Sequence, residues 1–131
     1  MVTRRCPLRR NDVDTDEGEG NAKAKLYKAH AEMCKTFASP TRLEIFDILR
    51  AGEHSVSELS RRTGVAQPTV SQHLNVMVQS GVLMRRKEGL NVYYRVANPK
   101  VVKAFELLRE ALLERLASIG SLAKDMGVKV P

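Results

Sequence analysis

Residues 55–81 read SVSELSRRTGVAQPTVSQHLNVMVQSG, and no other stretch constrains the chain as much. Ser55-Val56-Ser57-Glu58 has the form of a capping box: a Ser hydroxyl and a Glu carboxylate satisfy each other's backbone N–H groups, so a helix starts at Ser55. Leu59 faces inward from that helix. Gly64 supplies the turn, and Ser60, four residues earlier, is small enough for two helices to cross closely. A second helix follows over about 66–79. It places Val70, Leu74, Met77 and Val78 on one side, at spacing i, i+4, i+7, i+8. Pro68, Gln72, Asn75 and Gln79 point the opposite way, flanked by Ser71 and His73. With Gln67 and Thr69 this outer face is polar but almost uncharged. A helix that only meets water usually shows charges there. Gln, Asn, Ser, Thr and His side chains suit hydrogen bonding to the edges of nucleic-acid bases.

Charge supports that reading and places it. The chain has 131 residues with 22 Lys+Arg against 15 Asp+Glu, a net charge of +7. Residues 1–20 hold four arginines and five acids, so the remaining residues carry 18 bases against 10 acids, or +8. From Arg61 to Arg95 there are six bases (Arg61, Arg62, Arg85, Arg86, Lys87, Arg95) and one acid, Glu88. A basic zone around a helix-turn-helix is what a polyanionic partner requires; a solvated basic surface is the plainer alternative.

The length suits one domain with a real core. No apolar run approaches the length that spans a bilayer, and no signal-peptide h-region is evident. Cys6 and Cys34 are too few for a secreted disulfide scaffold, so the expected location is cytoplasmic, with no membrane partner. No nucleophile–base pair, phosphate-cradling glycine loop or paired metal ligands appear, which argues against an enzyme and against a cofactor or metal.

Around the central segment, residues 1–21 read as a disordered tail with charges in opposite blocks. Ala22 to Ala38 reads as a helix with a broad apolar face: Leu26, His30, Met33 and Phe37 form one stripe, and Tyr27, Ala31, Cys34 and Ala38 the next. Ser39-Pro40 opens a second helix to about Arg50, with Leu43, Phe46, Ile48 and Leu49 turned inward. Val82-Leu83-Met84 and Val92-Tyr93-Tyr94-Arg95-Val96 are β-prone runs around Lys87-Glu88-Gly89-Leu90-Asn91, a hairpin with a basic tip. Asn98-Pro99 caps a last helix to about Leu122, striped with Phe105, Leu108, Leu112, Leu116 and Ile119. A short tail, 123–131, follows. The fold class is therefore mainly α with a small β-hairpin, a winged helix-turn-helix over 22–122 with its wing at about 82–96. The wide apolar faces of the first and last helices fit pairing into a homodimer, or the capping of a monomer core.

The wording of three segments is similar to that of the ArsR/SmtB family of repressors: FASPTRLEIFDIL (37–49), SVSEL…TGVAQPTVSQHL (55–74) and GVL…VYYRV (81–96). The resemblance covers about residues 24–118. It implies a homodimer, paired through the first and last helices, that binds a double-stranded DNA operator as a repressor until a small-molecule, metalloid or oxidant effector releases it. The recognition-helix residues would then be Gln67, Pro68, Thr69, Ser71, Gln72, His73 and Asn75. Arg85, Arg86, Lys87, Asn91 and Arg95 would serve the wing. Ala66 stands at the helix's N-cap, where relatives often have Ser. Leu90 follows the wing glycine, where relatives often carry a base. A non-specific architectural DNA binder and a protein–protein module are the competing readings.

The sequence departs from the family where effectors bind. Ser55-Val56-Ser57 stands where metal-sensing relatives carry Cys-Val-Cys, and serine is a poor ligand for soft ions. The last helix has no histidine; Glu106, Glu110 and Glu114, interleaved with Arg109 and Arg115, read as a solvated, salt-bridged face. His73 lacks a ligand partner at i±3 or i±4, leaving a phosphate contact, an orienting role or a structural one. Cys6, among arginines that favour its thiolate, and Cys34, on the first helix, read either as a redox or metalloid pair or as an incidental thiol and a small buried apolar residue.

Overall fold

The computed structural model describes residues 17–120 and 125–127. Cys6 and the expected tail through residue 16 lie outside the described residues. Helix α1 spans Glu17–Thr36, α2 Pro40–Leu49, α3 Val56–Thr63, α4 Gln67–Gln79 and α5 Pro99–Ile119. Strands β1 (His54–Ser55), β2 (Leu83–Glu88) and β3 (Asn91–Val96) form an antiparallel sheet in the order β1-β3-β2. No helix among the described residues is long and apolar enough to cross a membrane.

Local chemistry sets the starts of the central helices. Ser39 Oγ accepts from the Arg42 N–H at 3.3 Å and Pro40 occupies the first helical turn of α2, where its missing N–H costs nothing. At α3 the capping box closes in both directions: Glu58 N–H donates to Ser55 Oγ at 3.2 Å, and Ser55 N–H to Glu58 Oε1 at 2.8 Å. These hydrogen bonds from Ser55, backbone first, hold the Glu58 carboxyl below its usual pKa. Gly64, at φ +74°, ends α3 in the left-handed region that a β-carbon disfavours. Ser60 does more than leave space for the turn; its hydroxyl donates to the Val65 carbonyl at 2.6 Å and ties the turn shut. Ala66 gives α4 no side-chain cap, which forgoes about 1 kcal/mol.

The core gathers one face of each short element: Ile45, Phe46 and Leu49 from α2, Leu59 from α3, Val70, Leu74 and Met77 from α4, and Val82, Leu83 and Tyr94 from the sheet region. Of the α2 residues expected inside, Leu43 and Ile48 are only half-buried, and Ile45 takes the place at the centre. Phe37, Phe46 and Phe105 join α1's end, α2 and α5, with ring centroids 4.9 to 6.5 Å apart. Beside them Asp47 accepts from Arg50 Nε at 2.6 Å and Arg109 Nη1 at 3.2 Å, while Arg50 Nη1 donates to Glu106 at 2.7 Å. Burial pushes the Asp47 carboxyl up, but hydrogen bonding and charge from the two arginines outweigh it and hold its pKa below the usual value. Glu106 and Arg109 thus join α5 to α2, rather than pairing along α5 as the spacing suggests.

Three boundaries differ from expectation. Helix α1 begins at Glu17 instead of Ala22; Glu19 in its first turn carries the charge that a helix N-terminus favours, despite the glycines on either side. It ends at Thr36 instead of Ala38, and α5 ends at Ile119 instead of Leu122. The expected two-stranded hairpin has a third partner, since β1 pairs His54 with Tyr94 and Ser55 with Tyr93. The hairpin tip is also tighter: Lys87 pairs with Val92 and Glu88 with Asn91, leaving Gly89-Leu90 as a two-residue loop with Gly89 at φ +64°. A glycine at the first of two loop residues suits a hairpin turn.

Beyond the core, the long helices are little covered. Leu26 and Tyr27 on α1 are 62% and 64% exposed, and Leu107, Leu108, Leu112 and Ile119 on α5 are 51–72% exposed. Each touches the core only near one end, through Met33 and Phe37 on one side and Val101, Val102 and Phe105 on the other.

Candidate nucleic-acid interface

Packing fixes how α4 presents itself. Burial of Val70, Leu74 and Met77 against α2, α3 and the sheet leaves Gln67, Pro68, Thr69, Gln72 and Asn75 exposed. Ser71 and His73, at the flanks of that stripe, are half-buried. The side chains of Gln67, Thr69, Gln72 and Asn75 make no hydrogen bond among the described residues. The structure thus brings the expected helix residues onto one continuous, uncharged surface with its donors and acceptors free.

His73 is the exception. Its Nδ1 lies 3.4 Å from Arg42 Nη1. Burial first, and then the Arg42 charge, lower its pKa and favour the neutral ring. Arg42 was not among the expected site residues; it lies 31 positions from His73, a distance no local pattern spans.

The wing separates residues that are adjacent in sequence, because neighbouring side chains on a strand point to opposite faces. Arg85 and Lys87 share the face of Leu83, opposite Tyr94 and Val92, and both are exposed with no ion pair among the described residues. Arg86 is on the other face and is already engaged. It donates to both Glu53 carboxylate oxygens, at 2.8 and 3.1 Å, pairs with Glu88, and stacks over Tyr93 at 4.8 Å. The Glu53 and Glu88 carboxylates raise the Arg86 pKa, and Arg86 in turn lowers that of Glu53. Arg86 therefore fastens the wing to the loop before β1. Arg95 sits opposite Met84 on Arg86's face, and its Nη1 reaches the Val96 carbonyl at 3.5 Å. Asn91 and the fully exposed Leu90 stand at the tip. On α3, Arg62 donates to His54 Nε2 at 3.0 Å, and His54 Nδ1 contacts the Gly52 carbonyl at 2.8 Å.

Among the described residues no group of three or more His, Cys, Asp or Glu is placed to hold a metal ion. Cys34 is exposed on α1, not an interior residue of the single chain. The Cys6–Cys34 pairing falls outside the described residues.

Comparison with known proteins agrees with this architecture. Residues 37–86 match a helix-turn-helix domain model. The chain is 38% identical over 108 residues to the biofilm growth-associated repressor of Agrobacterium fabrum, covering 82% of this chain and 91% of that one. It is 33% identical over 109 residues to the HTH-type transcriptional regulator Rv0324 of Mycobacterium tuberculosis, covering 83% of this chain but about half, 48%, of the longer relative. Among solved structures, the homodimeric winged helix-turn-helix DNA-binding domain of a possible ArsR-family regulator from Mycobacterium bovis superimposes with a TM-score of 0.71 at 33% identity, covering 76% of this chain and 92% of that one. The chain belongs to the ArsR family of winged helix-turn-helix transcriptional regulators.

Proposed function

We propose that the protein is a homodimeric repressor that reads a DNA operator through α4 and grips the flanking backbone with its wings. The observation that carries this is the exposed, uncharged and unpartnered stripe Gln67–Thr69–Gln72–Asn75. Gln pairs bidentately with adenine, and Ser or Thr serves a base or a phosphate. Pro68, Ser71, His73 and Asn91 complete the contact surface. Arg85 and Lys87 supply the free cations for phosphate or minor-groove contact on one face of the wing, with Arg95 on the other face. Arg86 acts from behind, holding the wing at its angle. The uncovered faces of α1 and α5 support pairing of two copies, which would set the two reading helices one DNA turn, about 34 Å, apart. The repressor named in Agrobacterium fabrum and the homodimer described from Mycobacterium bovis support the same reading.

Release by an effector belongs to this proposal. Exposure of Cys34 on the pairing helix supports thiol oxidation or a soft metalloid, with Cys6 as the second sulfur, as the releasing event. The test is affinity for a selected operator and for a random duplex at fixed salt, with reduced and oxidised protein. The expected operator preference is about 10³-fold or more, and oxidation lowers it. Equal affinity for both duplexes would leave a non-specific DNA binder instead. Unchanged release in a Cys6→Ser/Cys34→Ser variant would exclude the thiols.

A further inference from the structure

Arg42 joins three helices. Its backbone N–H caps onto Ser39, its Nε donates at 2.7 Å to the carbonyl of Thr36, the last residue of α1, and its Nη1 meets His73 Nδ1 on α4 at 3.4 Å. A guanidinium has only donors to offer. For Arg42 to donate here, His73 Nδ1 has to be the bare, accepting nitrogen, with the single ring proton on Nε2. Nε2 has no partner among the described residues.

The surroundings keep that arrangement intact. No carboxylate pairs with Arg42 among the described residues. Glu32 and Lys35 of α1, which line the adjoining groove with Thr36, Arg42, Val76, Gln79 and Ser80, pair with each other at 3.8 Å. The guanidinium is thus committed to the Thr36 carbonyl and the His73 ring. Thr36 itself is buried, its hydroxyl donating to the Glu32 carbonyl at 3.2 Å, so the anchor at the end of α1 is firm.

We propose that Arg42 is a positioning residue for DNA binding: it fixes His73 in the Nε2–H tautomer, so that this N–H donates to an operator phosphate, and it ties that donor to the end of α1. The half-buried place of His73 at the flank of the reading stripe suits a backbone contact better than a base contact. A displacement of α1 would pass through Arg42 to the recognition helix, giving the pairing helix a physical route to the DNA contact. The inference rests on α4 being the DNA-reading helix.

The test combines spectroscopy of the free protein with binding. Nitrogen-resolved imidazole spectra of the wild type should show the Nε2–H tautomer, and Arg42→Met should turn it into a mixture and raise the ring's pKa. Operator affinity should fall about tenfold in Arg42→Met and in His73→Phe, and no further in the double variant. The salt dependence of binding should stay unchanged in both, because a neutral imidazole releases no counterion. An Nδ1–H tautomer in the wild type would overturn the inference. So would additive losses, or a salt slope reduced by about one in Arg42→Met, which would make Arg42 itself the phosphate contact. If Arg42→Met does not fold, the wild-type tautomer and His73→Phe still decide: unchanged operator affinity in His73→Phe overturns the proposal. Lack of sequence preference in the wild type would overturn the operator reading, whereas the wrong tautomer overturns this inference alone.

Discussion

A Leu108→Arg/Leu112→Arg variant is expected to remain folded as a single chain yet lose both pairing and tight operator binding. Both side chains are largely exposed on α5, at 72% and 51%, so the core does not depend on them. A buried leucine contributes about 1.5–3 kcal/mol to the surface it joins, and a two-fold interface counts every substitution twice. Two positions in two copies give about 6–12 kcal/mol of lost burial as an upper bound, before any cost of burying the arginines. Even half of the lower figure raises the dimer dissociation constant by about two orders of magnitude. Sedimentation should show a monomer, circular dichroism an unchanged helical spectrum, and operator binding a matching loss. A variant that still sediments as a dimer would place the interface elsewhere.

The next largest effect is expected at the reading stripe. Gln67→Ala and Gln72→Ala each remove an exposed, unpartnered amide from α4, so neither should alter the melting temperature measurably. If each pairs with a base, each should cost about 1–3 kcal/mol, or about 5- to 150-fold, in operator affinity. Affinity for random duplex should not change, because phosphate contacts supply that binding. The preference should relax at the base pairs each glutamine contacts, as read by competition with single-base operator variants. Equal losses on operator and random DNA would show that the stripe contacts the backbone and does not read sequence.

The residues that define α4 were the most legible part of the chain. The helix expected over 66–79 is observed over Gln67–Gln79, because a strong 3.6-residue period, a proline in the first turn and a glycine after the end all agree. The capping box at Ser55 was legible for the same reason, since both of its partners lie within four residues. Strand β1 was not. Two residues carry no periodicity, and His54–Ser55 becomes a strand only because β3 passes beside it. The start of α1 was missed because residues 17–21, EGEGN, hold no apolar side chain that would show a helical period.

At the site, sequence placed the surface but not its wiring. The run Arg85-Arg86-Lys87 reads as a single basic cluster. Strand alternation turns Arg86 away from its neighbours, and Glu53, 33 positions earlier, claims it. That alternation was available once the strand was extended to Glu88; the partner was not. Arg42 likewise sits in SPTRL as one more charged residue on a helix, and only tertiary packing sets it against His73. Long-range pairs between polar side chains leave no spacing to read, so these two contacts needed the fold.

The central claim is that two copies of α4 read one operator in symmetric register. Hydroxyl-radical footprinting of the protein on a selected operator tests it most directly. The account predicts two protected patches related by a two-fold axis and centred one helical turn, about 10–10.5 base pairs, apart, with weaker protection outside them where the wings lie. A single protected half-site, or uniform protection without register, would contradict it.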